Sequence, residues 1–217
     1  MENVFLKNTK ESMPYIPVGG GPRRYNYPVL QHPTEHVKKL KNELSAISHN
    51  TLLQHQTADI PVKNGMYLEV SGQRGYELKY QSLEDNRAGI RLLNVKTKNE
   101  LTKATVFVPM HKSSVLLRKL DDFENTIATQ EIPANSDLVS SIETISKANV
   151  ESFWYGSIED IPNVDSKTWC EVWLRTENDT NFVYNEFKSL LELFNIQYKR
   201  EFIEFPERVV MMLYVNY

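Results

Sequence analysis

The sequence predicts an α+β chain in which one split βαββα unit occurs twice in tandem, after an extended arm and a helix. Three observations carry this. The apolar period changes from 3.6 to 2 near Gly65, the order strand, helix, strand, strand recurs from Trp169, and prolines crowd the N-terminus.

Half of the ten prolines (Pro14, Pro17, Pro22, Pro28 and Pro33) and the Gly19-Gly20-Gly21 run fall in residues 1–33. Proline fixes φ and lacks an amide donor, whereas glycine accepts almost any backbone path, so this segment reads as an arm. Val4-Phe5-Leu6 is a short apolar anchor that could add to a sheet edge, and Tyr15, Tyr25 and Tyr27 suit an arm that docks. Residues 34–64 form a helix and connector: Val37, Leu40, Leu44 and Ile47 share one helical face, and residues 48–64 read as polar connection.

Residues 65–132 are the first unit. Met66–Val70 alternates as a strand, a short helical turn lies around Gln81–Asn86, and Ile90–Val95 and Thr105–Val108 make a hairpin through Lys96–Lys103. Leu116, Leu120, Phe123 and Ile127 then mark a helix. Residues 133–217 are a linking helix plus a second, incomplete unit. The linking helix opens at Ser136 and carries Leu138, Ile142 and Ile145; the dense aromatic knot Phe153-Trp154-Tyr155 suggests a packing seam. Trp169–Arg175 alternates, Asn178–Asn181 supplies cap chemistry for a helix through Phe194, and Glu201–Phe205 and Arg208–Val215 are the closing strands. The whole reads as two tandem ferredoxin-like units, the second lacking its last helix.

Composition narrows the function. The 217 residues carry 25 basic and 28 acidic side chains and one cysteine. Charge is graded: +3 over residues 1–64, zero over 65–150 and −6 over 151–217. A C-terminal third this acidic repels phosphate, which argues against nucleic acid. No apolar run approaches the roughly 18–20 residues of a membrane span. A lone Cys170 cannot form an internal disulfide, which fits a reducing, cytoplasmic setting.

The search for chemistry is mostly negative. His32 and His36 stand four apart, as in paired metal ligands, but Pro33 lies between them and no further ligand follows at metal-site spacing. No G-x-S-x-G elbow or phosphate-cradling loop occurs, and Cys170 sits on the strand face of Val172 and Leu174, as a buried thiol would. Asp121-Asp122 and Glu159-Asp160 read as solvated charge. The sequence offers no catalytic, cofactor or metal residues. Trp169 and Trp173 share one strand face and Phe107 stands on a central strand; such aromatics could stack bases, but core or protein contact suits them better.

An ordered series of segments resembles the N-terminal region of a group of bacterial subtilisin-like serine peptidases, the subtilase family. They are Phe5-Leu6-Lys7-Asn8, Gly19-Gly20-Gly21, the helix bearing His36, Tyr67-Leu68-Glu69, Gly89–Val95 and Ala104–Pro109. Glu151–Trp154, Trp169–Arg175 and Phe205–Val210 continue it, so the likeness spans nearly the whole chain. The resemblance implies a cytoplasmic protein whose peptidase domain follows this region, often encoded beside an AAA-type ATPase and suspected of anti-phage or quality-control roles. The family's Asp, His and Ser blocks match nothing here, so no catalytic residue carries over. Subtilases commonly carry a ferredoxin-like pro-region whose sheet packs on the enzyme.

The leading expectation is therefore a non-catalytic region that regulates, assists folding of, or targets a subtilisin-like peptidase domain. Its candidate contacts are Phe5, Tyr15, Tyr25, Tyr27, Phe153, Trp154, Tyr155, Trp169 and Trp173. The alternatives are a stand-alone adaptor for an AAA-type ATPase and, last, a single-stranded nucleic-acid binder. Because the chain ends directly after a strand, at Val215-Asn216-Tyr217, the expectation is a front piece of a longer protein.

Overall fold

The computed structural model describes residues 27–57, 64–130, 132–154, 158–161, 163, 165–176 and 179–216. The chain divides after Lys147 into two compact units. The sequence places the boundary at 132/133; it lies further on because residues 142–147 belong to the first sheet.

The first unit opens with helix α1 (Pro33–Thr57), strand β1 (Gly65–Gly72), a 3-10 turn (Tyr80–Leu83), and strands β2 (Arg91–Lys98) and β3 (Leu101–Pro109). Helix α2 (Ser113–Thr126), helix α3 (Ser136–Ser141) and strand β4 (Ile142–Lys147) complete it. The four strands pair antiparallel in the order β2-β3-β1-β4.

Alternation explains the layering. Met66, Leu68 and Val70 face the same side as their cross-strand partners Val108, Val106 and Ala104. Val37, Leu40 and Leu44 from α1, and Leu116, Leu120 and Phe123 from α2, pack against that side. Nineteen buried apolar residues make this core among the described residues. Helix α1 runs ten residues beyond its last predicted apolar position, Ile47, because buried Thr51 continues the same inward stripe.

Two local departures have clear causes. Leu138, Ile142 and Ile145 read as one helical stripe, yet α3 ends at Ser141 and Ile142–Lys147 is a strand. The β-branched Ile142, Thr144 and Ile145 suit the pleat, and β1 offers a free side for Val70↔Ile145 and Ser71↔Thr144. Ser136 is not the cap either: Asn135 holds that position at φ 57°. The β2–β3 turn is also tighter than the charged Lys96–Lys103 loop suggests. Its two central residues, Asn99 and Glu100, have φ 50° and 63°, which makes a type I′ hairpin.

The outer edge of β4 is closed by α1. Glu43 Oε2 accepts the Ile145 amide at 2.8 Å, and Lys39 Nζ donates to the Glu143 carbonyl at 2.8 Å. Lys147 Nζ donates to Gln54 Oε1 at 2.6 Å. His36 Nε2 lies 3.2 Å from the Val139 carbonyl; a carbonyl only accepts, so Nε2 carries the proton. On its far side α1 is tied to α2 by Lys41, which pairs with Asp121 and Glu124. Burial disfavours the Lys41 charge, but those two carboxylates outweigh it and hold the ammonium above its usual range.

The second unit contains helix α4 (Val150–Phe153), strand β5 (Thr168–Arg175), helix α5 (Thr180–Leu193), and strands β6 (Gln197–Tyr198), β7 (Ile203–Phe205) and β8 (Arg208–Val215). Asp179 caps α5 by accepting the Phe182 amide. Strand β8 pairs antiparallel with β5 on one side and with β6 and β7 on the other. The core is small: Leu191, Val209, Met211 and Leu213 are buried, with Val172, Leu174 and Phe187 partly so.

Removing the Glu43 acceptor should expose the cost of an unmatched amide. In urea unfolding, Glu43→Ala is expected to lose about 1–3 kcal/mol, and Glu43→Gln, which keeps an acceptor oxygen, clearly less. Glu100→Gly should instead stabilise by roughly 1 kcal/mol, since a left-handed residue with a side chain carries a penalty of that order.

Candidate functional site

The outer face of the second sheet follows from the β5–β8 register. Trp169 lies opposite Tyr214, Glu171 opposite Met212 and Trp173 opposite Val210. On the other flank Ile203 meets Val210 and Phe205 meets Arg208. Odd positions of β5 and even positions of β8 thus share the side away from α5, while Cys170, Val172 and Leu174 turn toward Leu213, Met211 and Val209.

This outer side is aromatic and open to solvent. Trp173 is 53% exposed, Ile203 61%, Phe205 44% and Trp169 39%. Trp173 and Phe205 stack with centroids 5.9 Å apart and planes 9° apart, and Trp169 contacts Tyr214 at 5.3 Å. The Trp173 indole N–H donates to Glu171 at 3.3 Å. Two cations lie against the rings: Lys199 Nζ is 5.3 Å from the Trp169 centroid, and the Arg208 guanidinium 5.9 Å from that of Trp173. Exposed aromatic side chains clustered on one sheet face and flanked by charge are a feature that marks contact surfaces.

The other predicted contacts are scattered. Phe5, Tyr15, Tyr25 and Tyr155 lie outside the described residues. Tyr27 is half-buried in the first unit, its phenol pushed above the usual range by burial and then by the Asp137 carboxylate. Phe153 is exposed at the end of α4, and Trp154 is half-buried. The structure therefore brings Trp169 and Trp173 together with Ile203, Phe205 and Tyr214, which sequence reasoning missed. Parity along β8 marks Val210, Met212 and Tyr214 as one face; only the cross-strand register places Phe205 beside Trp173.

The first unit carries a shallow depression of about 520 Å³, lined by Pro28, Val29, His32, Glu35, His36 and Lys39 among others. His36 is already bound to the Val139 carbonyl there. Among the described residues no group of three or more His, Cys, Asp or Glu is placed to hold a metal ion. Asp121 is paired with Lys41 rather than with Asp122.

Cys170 is half-buried, and burial raises its thiol above the usual range. A raised folded-state value means the folded thiol keeps its proton to higher pH than the unfolded one. Its contribution to stability is present below the unfolded value and is lost as pH rises through the folded one. A disulfide reagent at pH 8 should thus modify native Cys170 more slowly than the urea-unfolded chain; equal rates would contradict the burial.

Residues 34–149, more than half of the chain, match the family model described as the Y4kK N-terminal domain. No curated protein gives a significant match. Among solved structures, the crystal structure of Clostridium acetobutylicum aspartate kinase is similar at 10% identity, with a TM-score of 0.20. That alignment covers 73% of this chain and 33% of the kinase, so the chain spans about a third of that protein's length. A score this low carries no argument about fold or function. The family match is of another order, and on it the chain belongs to the Y4kK N-terminal domain family.

Proposed function

We propose that the chain is a non-catalytic docking module: the N-terminal region of a subtilisin-like peptidase, acting on the peptidase domain by protein–protein contact. The observation that carries the reading is the exposed outer face of Trp169, Trp173, Ile203 and Phe205 on one hydrogen-bonded sheet. Such a face buries apolar area on a partner without rearranging the module, so little ordering cost opposes binding. The ordered residue resemblance to the subtilase group supports the same reading, and the matched family, over residues 34–149, is described only as an N-terminal domain.

On this proposal both units are ferredoxin-like. The first has the order β2-β3-β1-β4 with its crossovers on one face, and the second repeats the first three positions as β7-β8-β5. The regulated, chaperoned or targeted peptidase domain would sit on the second sheet, in cis or in trans, in a cytoplasmic setting. An AAA-type ATPase partnered through the same face is the alternative. The cations beside Trp169 and Trp173 favour a further reading, single-stranded nucleic acid, which the surrounding acidic charge opposes.

Calorimetric titration of the 217-residue chain into the subtilisin-like catalytic domain encoded with it should give saturable binding. Ile203→Glu, placing a charge in the patch, should weaken it at least tenfold, about 1.4 kcal/mol, with unchanged circular dichroism. Absence of binding, together with no effect on peptide hydrolysis, would refute the peptidase reading. Binding to single-stranded RNA that falls steeply with salt would transfer the face to nucleic acid.

A further inference from the structure

The sheet edges of the two units are treated differently. In the first unit the strand in the β5 position, β1, is covered by β4, and the edge of β4 is closed in turn by Glu43 and Lys39. The other edge, β2, carries Lys96 and Lys98 and a register shift between Leu92 and Asn94, features that discourage added strands. In the second unit no described strand pairs with the outer side of β5. This edge is eight residues long, regular against β8, and bears no lysine or proline.

We propose that β5 of one copy pairs antiparallel with β5 of a second copy, across a two-fold axis through Trp173. The sequence of the edge selects that occupant and that register. With Trp173 opposite itself, Glu171 of each copy faces Arg175 of the other, giving two ion pairs on the outer side. On the inner side Val172 meets Leu174, both only partly buried in the single chain, so the pairing extends the small core. Moving the two-fold axis by one residue, to Val172 or Leu174, sets Trp173 against Glu171 or Arg175 and loses the Glu171–Arg175 pairs; moving it by two, to Glu171 or Arg175, sets like charges against each other. Pairing of this isologous kind closes on itself and does not propagate. The net charge of −6 over residues 151–217 opposes association at low ionic strength, so near 0.15 M salt, where the screening length is about 8 Å, is the condition that favours it.

Sedimentation velocity of the 217-residue chain near 0.15 M salt, from low to high micromolar, should show reversible conversion of monomer to dimer. Glu171→Arg and Arg175→Glu each place like charges opposite one another and should shift the protein to monomer. The double variant E171R/R175E restores opposite signs and should restore the dimer. Circular dichroism reports whether each variant folds, and recovery in the double variant excludes a general loss of structure. A wild-type chain that stays monomeric overturns the proposal and leaves the edge to a strand of another protein. A dimer indifferent to both reversals, or a double variant that stays monomeric, also overturns it. The readout is the free chain's own mass, so its failure is distinct from failure to bind a peptidase domain.

Discussion

A β-sheet that ends leaves a row of amides and carbonyls without partners, and this molecule is organised around how that row is treated. In the first unit the last strand, β4, presents the Ile145 amide and the Glu143 carbonyl outward. Helix α1 meets them with one acceptor, Glu43, and one donor, Lys39, on successive turns. The same helix turns Val37, Leu40 and Leu44 inward and Lys41 toward α2. One element thus closes an edge, covers a core and fixes its neighbour, because three faces of a single 3.6-residue period carry three different chemistries.

Among the described residues the second unit has three corresponding strand positions without that closure, and its core holds four buried apolar side chains against nineteen in the first. Aromatic and aliphatic side chains remain on its outer face, stacked on one another and flanked by cations. Among the described residues this sheet has a thin core, a long edge with no paired strand and an apolar outer side, and an exposed apolar side of this kind marks a contact surface. That is why the docking reading rests on this unit and not on the first, whose surface depression is lined by groups such as His36 with structural bonds of their own.

Much of the fold was legible because alternation and helical spacing are read directly from residue type. Met66–Val70, Leu116–Phe123 and the β5 tryptophans stand where their periods put them. Strand β4 was not legible, since Leu138, Ile142 and Ile145 satisfy a helical stripe as well as a six-residue strand does. Only the open side of β1 decides between them. Nor could the closing role of α1 be seen: nothing in residue type or spacing sets Lys39 and Glu43 apart until a strand edge more than one hundred residues later lies beside them. The candidate site was half legible. Trp169 and Trp173 announce their face by spacing, whereas Ile203 and Phe205 join it through pairing with β8.

The central claim is that the first sheet is closed at β4 while, among the described residues, no strand lies beyond β5 in the second, and residue-resolved amide hydrogen exchange tests it most directly. The account predicts that Ile145 exchanges as slowly as amides inside the sheet at every protein concentration. It also predicts that the outward amides of β5 exchange quickly in dilute protein and slow as concentration rises. Rapid exchange at Ile145, or β5 amides equally protected at all concentrations, would contradict it.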